Sequence, residues 1–420
     1  MDDDMIRLPI DQAVERLARH ASGRSGRVFI PFGPGEPLDV LAVFRAQPDL
    51  AAGLTFVGAP IPGINRNDWA AIHPDAAAEG IFVSGDWRAS FEAGRYALRP
   101  LTWFQTFGWL ATTPLDAAVF LVSPPDASGA VGLSVASDLG PAVLRRDGLM
   151  RLAIIDPRLP AVRGETVPLE AFDLVAEAQA APLDYDAGAL DPAFDRITRH
   201  IAEVTPDGAS LQFGIGKAGV AALAGLRGRR GMKIHSGMVT DPLVELLDEG
   251  AVEAVVTGLA AGTDRLRARL GDARVRFAAS DHTHNIAVLA GIPRLVAVNS
   301  ALEVDLFGQA NAEFQNGRQV SGVGGLTDFL RGARLSPGGV PIIALQASAK
   351  GDSISRIVPR LPQTAVSVPR ADVGVVITEH GVADLRGATL DGRAQALIAI
   401  AGPAHRDSLS NAWDALRRGL

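Results

Sequence analysis

The chain has 420 residues, 47% hydrophobic and 21% charged, with a net charge of −7 and no cysteine. That length allows two domains of roughly 200 residues each, and the composition is that of a globular protein with ample core. The acidic balance without a Lys/Arg block argues against a nucleic-acid partner, no apolar run approaches the roughly 20 residues of a membrane span, and the missing thiols exclude disulfides, a cysteine nucleophile and thiolate metal sites.

The start, Met1-Asp2-Asp3-Asp4, is acidic where a secretory signal would be basic, so the cytoplasm is the expected compartment. Residues 11–20 carry Ala13, Val14, Leu17 and Ala18 at helical spacing. Strand-like apolar runs follow at 28–31, 54–57, 117–122 and 152–155. The aromatic stretch 103–109 reads as core. Residues 181–192 lose the apolar period and gather Pro, Asp and Gly, the pattern of an interdomain linker. Beyond it, helices at 193–204, 218–226 and 242–249 alternate with strands at 211–213, 232–235, 254–256, 295–298, 342–345 and 373–377, and a last helix spans 390–401. Such alternation predicts an α/β fold with largely parallel sheets covered by helices on both faces.

The second half echoes the first. Val28-Phe29-Ile30-Pro31-Phe32-Gly33-Pro34-Gly35 and Ser210-Leu211-Gln212-Phe213-Gly214-Ile215-Gly216 both run from a short apolar strand into Phe-Gly-x-Gly. Gly33 and Gly214 are 181 residues apart, while Asp126 and Asp305, and Gly129 and Gly308, are each 179 apart. A repeat held in step this way predicts two similar domains, 1–185 and 190–420, with a ligand cleft between them lined by glycine loops at strand ends.

Four groups of residues suggest chemistry. Gly214-Ile215-Gly216-Lys217-Ala218-Gly219 fits the dinucleotide pattern G-x-G-x-x-G between strand and helix, but the next strand ends in His235-Ser236-Gly237 without the required acid. A backbone anion cradle or a tight turn suits it better. Ser321-Gly322-Val323-Gly324-Gly325 is the densest glycine loop and can aim N–H groups at an oxyanion, or simply turn before a helix. Asp281-His282-Thr283-His284 has metal-ligand residue types, but without a partner cluster it reads as a solvated loop and no metal is expected. Glu313 and Glu379 are carboxylates beside Asn or Gly, available as a general base or as caps.

Taken in order, these segments resemble the acetyl-CoA hydrolase/transferase family. The resemblance is carried by 213–216, by Asn299-Ser300-Ala301-Leu302-Glu303-Val304-Asp305-Leu306-Phe307-Gly308-Gln309 with Asn311, by 321–332, by 350–359 and by 378–387, and more loosely by 95–100 and 123–129. It implies two CoA-transferase-type α/β domains, acyl-CoA as a transient ligand rather than a resident cofactor, a small carboxylate as a possible co-substrate, and a homodimer. It also implies a glutamate that attacks the thioester, forming an anhydride and then a glutamyl-CoA, from a His-Ser/Thr-Glu-Met segment. Here that segment is His235-Ser236-Gly237-Met238, so the glutamate position holds Gly237.

Three functions follow: hydrolysis of an acyl-CoA by water with His235 or Glu313 as base, transfer using another carboxylate, or binding without turnover. By the same resemblance Gly324 and Gly325 are the oxyanion loop, and Gly214, Gly216 and Gly322 line the ligand. Gln309 and Asn311 lie near the thioester, and Lys350 and Arg356 reach CoA phosphates. A Gly237→Glu variant is expected to form a glutamyl-CoA adduct.

Overall fold

The computed structural model describes residues 5–186, 188, 192–362 and 365–419. Within the expected linker, residues 187 and 189–191 lie outside the described residues. Two eight-stranded sheets organise the chain. The first is built from β1 (Ile6–Arg7), β2 (Arg27–Phe29), β3 (Thr55–Val57), β4 (Ala77–Gly80), β5 (Tyr96–Leu98), β6 (Ala117–Val122), β7 (Met150–Ile155) and β8 (Leu174–Glu177). Its spatial order is β1-β8-β7-β6-β2-β3-β4-β5, and every neighbouring pair is parallel. A parallel strand is buried on both faces and therefore reads as a continuous apolar run. β6, Ala-Ala-Val-Phe-Leu-Val, is buried at each of its positions.

The second sheet holds β9 (Ser210–Phe213), β10 (Met232–Val239), β11 (Val252–Ala260), β12 (Val275–Phe277), β13 (Leu295–Asn299), β14 (Val340–Ala344), β15 (Val375–Thr378) and β16 (Gly381–Asp384). Its order is β12-β11-β10-β9-β13-β14-β15-β16, with β16 antiparallel to β15. The two sheets share one wiring over seven strands. From β2 or β9 the next three strands are laid on one side, and the three after that on the other. The chain therefore reverses direction beside β2 in one sheet and beside β9 in the other. Ligands of open α/β sheets bind beyond the strand ends at such a reversal. The Phe-Gly-x-Gly loops leave these two strands.

The echo at Asp126 and Asp305 is a single turn built twice. Asp126 Oδ1 accepts from the N–H groups of Ser128 at 2.8 Å and Ala130 at 3.1 Å, and Asp305 Oδ1 accepts from those of Phe307 at 3.1 Å and Gln309 at 2.9 Å. Gly129 and Gly308 follow at φ 82° and 84°, where a side chain is strained, so Asp and Gly recur together.

By packing, the described residues form two compact units. One takes the chain up to Asp186 with Met238–Asp241 and Val256–Thr283, and the other takes the remainder. The end of β10, much of β11 and all of β12 thus count with the first unit. Its core gathers Phe29, Phe120 and Phe172, with the Phe29 and Phe120 ring centres 5.8 Å apart. The core of the second gathers Val304, Leu330, Ile343 and Trp413. The expected last helix is Leu390–Ala399, and a further helix, Arg406–Arg417, follows it. That helix buries only Leu409 and Trp413 on an otherwise polar segment, a signal too sparse to read as periodicity.

Asn65 holds the first glycine loop. Its side-chain oxygen accepts from Gly33 N–H at 2.7 Å and Ile61 N–H at 2.8 Å, and its amide donates to the Gly33 carbonyl at 3.0 Å and to Glu36 at 2.9 Å. Glu36 also accepts from the Trp69 indole at 2.9 Å, and its burial pushes its carboxyl up. With Asn65 only 1% exposed, Asn65→Ala leaves several buried groups unpaired. The expected loss is about 3 kcal/mol, read by urea denaturation. Asn65→Asp should not rescue it, because a second oxygen would face the Gly33 carbonyl and Glu36.

Candidate active site

The G-x-G-x-x-G segment opens the helix Lys217–Ala224 at the end of β9. Gly216 takes φ 90° ahead of the helix. Gly219 faces the Gly214 carbonyl so closely that a methyl group there would overlap the oxygen. The third glycine is therefore a close-packing device between helix and strand. Side chains tie the neighbouring strand ends together. Asn299 and Gln212, both buried, exchange amide hydrogen bonds at 2.9 and 3.3 Å, and the Ser236 hydroxyl donates to the Phe213 carbonyl at 3.1 Å.

Gly237 lies on β10, two positions beyond the buried His235. A methyl group on Gly237 would stand 2.6 Å from Cε1 and 2.8 Å from Nε2 of His284. One on Gly325 would stand 2.7 Å from Cδ2 and Nε2 of the same ring and 3.2 Å from Phe329 Cε2. The His284 imidazole thus sits between the two glycines, with its ring centre 4.6 Å from that of Phe329. It is 4% exposed. Burial first, and then the neighbouring His235, push its pKa down to about 3, so the ring is neutral at physiological pH.

This corrects the expectation of a solvated 281–284 loop. Ser280–Thr283 is a helical turn, His282 Nε2 lies 3.0 Å from the Arg276 guanidinium, and His284 is interior. Among the described residues no group of three or more His, Asp or Glu side chains could hold a metal ion. The only hint of His284's position in the sequence is indirect: bare backbone at both 237 and 325 leaves a hole that some ring must fill.

Gly324 takes φ 52°, and Gly325 caps the helix Leu326–Leu335, where backbone N–H groups are unpaired within the helix. Gly322 is buried just before them. Gly237, Gly325 and His235 are thus brought together around His284. Other expected site residues are engaged in shaping segment 303–319. Asn311 is fully buried and makes four hydrogen bonds, donating to Glu303 and the Phe314 carbonyl and accepting from the N–H groups of Glu313 and Phe314. The Gln309 amide donates to Asp305 at 2.9 Å. The Glu313 carboxylate accepts from Gln319 at 3.2 Å and Ser367 at 2.7 Å, and Glu379 accepts from Ala347 N–H at 2.8 Å. Lys350 is exposed on a turn at φ 50°, and Arg356 is half-buried.

Residues 262–413 match the family model described as acetyl-CoA hydrolase/transferase C-terminal domain. The 4-hydroxybutyrate coenzyme A transferase of Clostridium kluyveri is 31% identical over 415 residues, 96% of this chain and 95% of that protein. Among solved structures, RipA from Yersinia pestis superposes with a TM-score of 0.87 at 25% identity, covering 98% of this chain and 97% of that one. The 4-hydroxybutyrate CoA-transferase from Porphyromonas gingivalis does so with a TM-score of 0.80 at 27% identity, covering 99% and 98%.

Proposed function

We propose a function from one premise: this chain belongs to the acetyl-CoA hydrolase/transferase family. Its reaction is the hydrolysis of an acyl-CoA thioester. The observation that carries this reading is Gly237 with the His284 ring against it, which leaves no carboxylate there to form an anhydride. Water then supplies the oxygen. His235, beside His284, takes the proton as water attacks the thioester carbonyl, and the N–H groups of Gly324 and Gly325 receive the oxyanion. Collapse breaks the C–S bond, and the CoA thiolate recovers the proton from His235. Glu313 is the weaker candidate base because Gln319 and Ser367 already hold it.

Gly214, Gly216 and Gly322 line the ligand in this reading, while Lys350 and Arg356 meet CoA phosphates. Acyl-CoA is a passing ligand, the two domains are 1–185 and 190–420, and the protein works as a cytoplasmic homodimer. Among the described residues no helix is long and apolar enough to cross a membrane. Oxyanion donors and positioning alone sustain about 10³-fold acceleration over water, enough for slow hydrolysis.

The similarity to a protein named a coenzyme A transferase supports a second reading, transfer through a different carboxylate. The test incubates pure protein with a panel of acyl-CoAs, with and without acetate, and follows free thiol and new thioester. Thiol release that acetate does not redirect is the expected result. Formation of acetyl-CoA would overturn hydrolysis in favour of transfer, and calorimetric binding without either product would make the protein a CoA-ester binder.

A further inference from the structure

We propose that His284 is the residue that closes position 237: Gly237 and His284 form one coupled unit, and a side chain can enter at 237 only if the imidazole leaves. The inference rests on the acyl-CoA reading for its chemistry but on packing alone for its geometry.

Two features keep the ring from stepping aside. The first is that it is confined on more than one side. Cε1 and Nε2 face Gly237, Cδ2 and Nε2 face Gly325, and the Phe329 ring lies 4.6 Å away, centre to centre. A rotation toward Gly325 or Phe329 would meet atoms already close to the ring. The second is composition. Two of the backbone positions against the ring are glycines, and at neither does the dihedral angle demand one, since neither has a positive φ. Their lack of a side chain is accounted for by the ring they admit. The substitution expected from sequence to restore covalent chemistry, Gly237→Glu, therefore meets a filled site.

The chemistry that the pair forecloses is specific. A carboxylate at 237 would attack the acyl-CoA carbonyl carbon and expel CoA thiolate, leaving an acyl-glutamyl anhydride. The thiolate would then attack the glutamyl carbonyl and release the acyl group as its carboxylate, leaving a glutamyl-CoA thioester. No oxidant or further reactant is required. With an imidazole in the space and no carboxylate at 237, neither bond can form there.

The test is a double-mutant cycle on the full chain: wild type, Gly237→Glu, His284→Ala and the two combined, each measured by thermal unfolding and, after incubation with an acyl-CoA, by intact mass. Both single variants should melt several degrees below wild type, one overfilled and the other holed. The combined variant should recover much of that loss, a coupling that independent sites do not show. It alone should gain the mass of one CoA less one water, removable by hydroxylamine. Additive melting losses would overturn the proposal, as would an adduct on folded Gly237→Glu alone. Recovery of stability without an adduct would support the packing inference and overturn the acyl-CoA reading of the site, so the two failures are distinguishable. If Gly237→Glu does not fold at all, Gly237→Ala with and without His284→Ala gives the same stability readout with a smaller insertion.

Discussion

Gly219→Ala is expected to destabilise the second unit by about 3 kcal/mol or more, enough to leave much of it unfolded under mild denaturant. The added methyl would overlap the Gly214 carbonyl oxygen, and backbone cannot yield as a flexible side-chain tip can. Relief would require the helix Lys217–Ala224 to lift from the end of β9, dragging Ala218, Ala221 and Ala222 out of the buried face they form. Gly216→Ala provides the contrast. No atom lies within 4 Å of a methyl there, so its cost is only that of holding a side chain at φ 90° with ψ −165°, about 1–3 kcal/mol. Urea denaturation of the two variants checks the ranking. A Gly219→Ala protein as stable as wild type would remove the close-packing account of the motif, whereas loss at Gly216 alone would make the segment a turn and nothing more.

The same contrast shows which parts of this fold were legible beforehand. A turn that needs Asp at one position and Gly three later writes itself into the chain, so the repeat could be seen at Asp126–Gly129 and Asp305–Gly308 before either sheet was known. Buried parallel strands such as Ala117–Val122 are equally open to reading, because both faces demand apolar residues. The apolar run marks β10 only over 232–235, since Ser236 and Gly237 break it although the strand continues to Val239. The site was legible in its backbone and not in its filling. Glycines at 214, 237 and 325 mark where a neighbouring side chain comes up to the backbone, but nothing near residue 284 announces that its side chain lies against two of them. Conversely, Asn311, Gln309 and Glu313 look like site residues in one dimension. In three, their side chains bond to Glu303, Asp305, Gln319 and Ser367.

His284 also sets an acid limit on the protein. Both influences on the ring, its burial and His235, disfavour the imidazolium, so the folded-state pKa of about 3 lies well below the roughly 6.5 of an unfolded histidine. As pH falls below about 6.5 the unfolded chain gains a proton here that the folded chain refuses. Stability is thus fully present above about 6.5 and drains away as the pH falls toward 3, by up to about 1.4 kcal/mol per pH unit. At pH 4.5 the cumulative loss from this residue is about 3 kcal/mol. Urea denaturation at pH 7.5 and 4.5 should therefore show wild type losing about 3 kcal/mol more than His284→Asn, which keeps a polar group but cannot titrate in this range. Groups that do not interact with the ring titrate alike in both proteins and cancel in the comparison. Equal acid sensitivities would mean that the imidazole can be protonated in place.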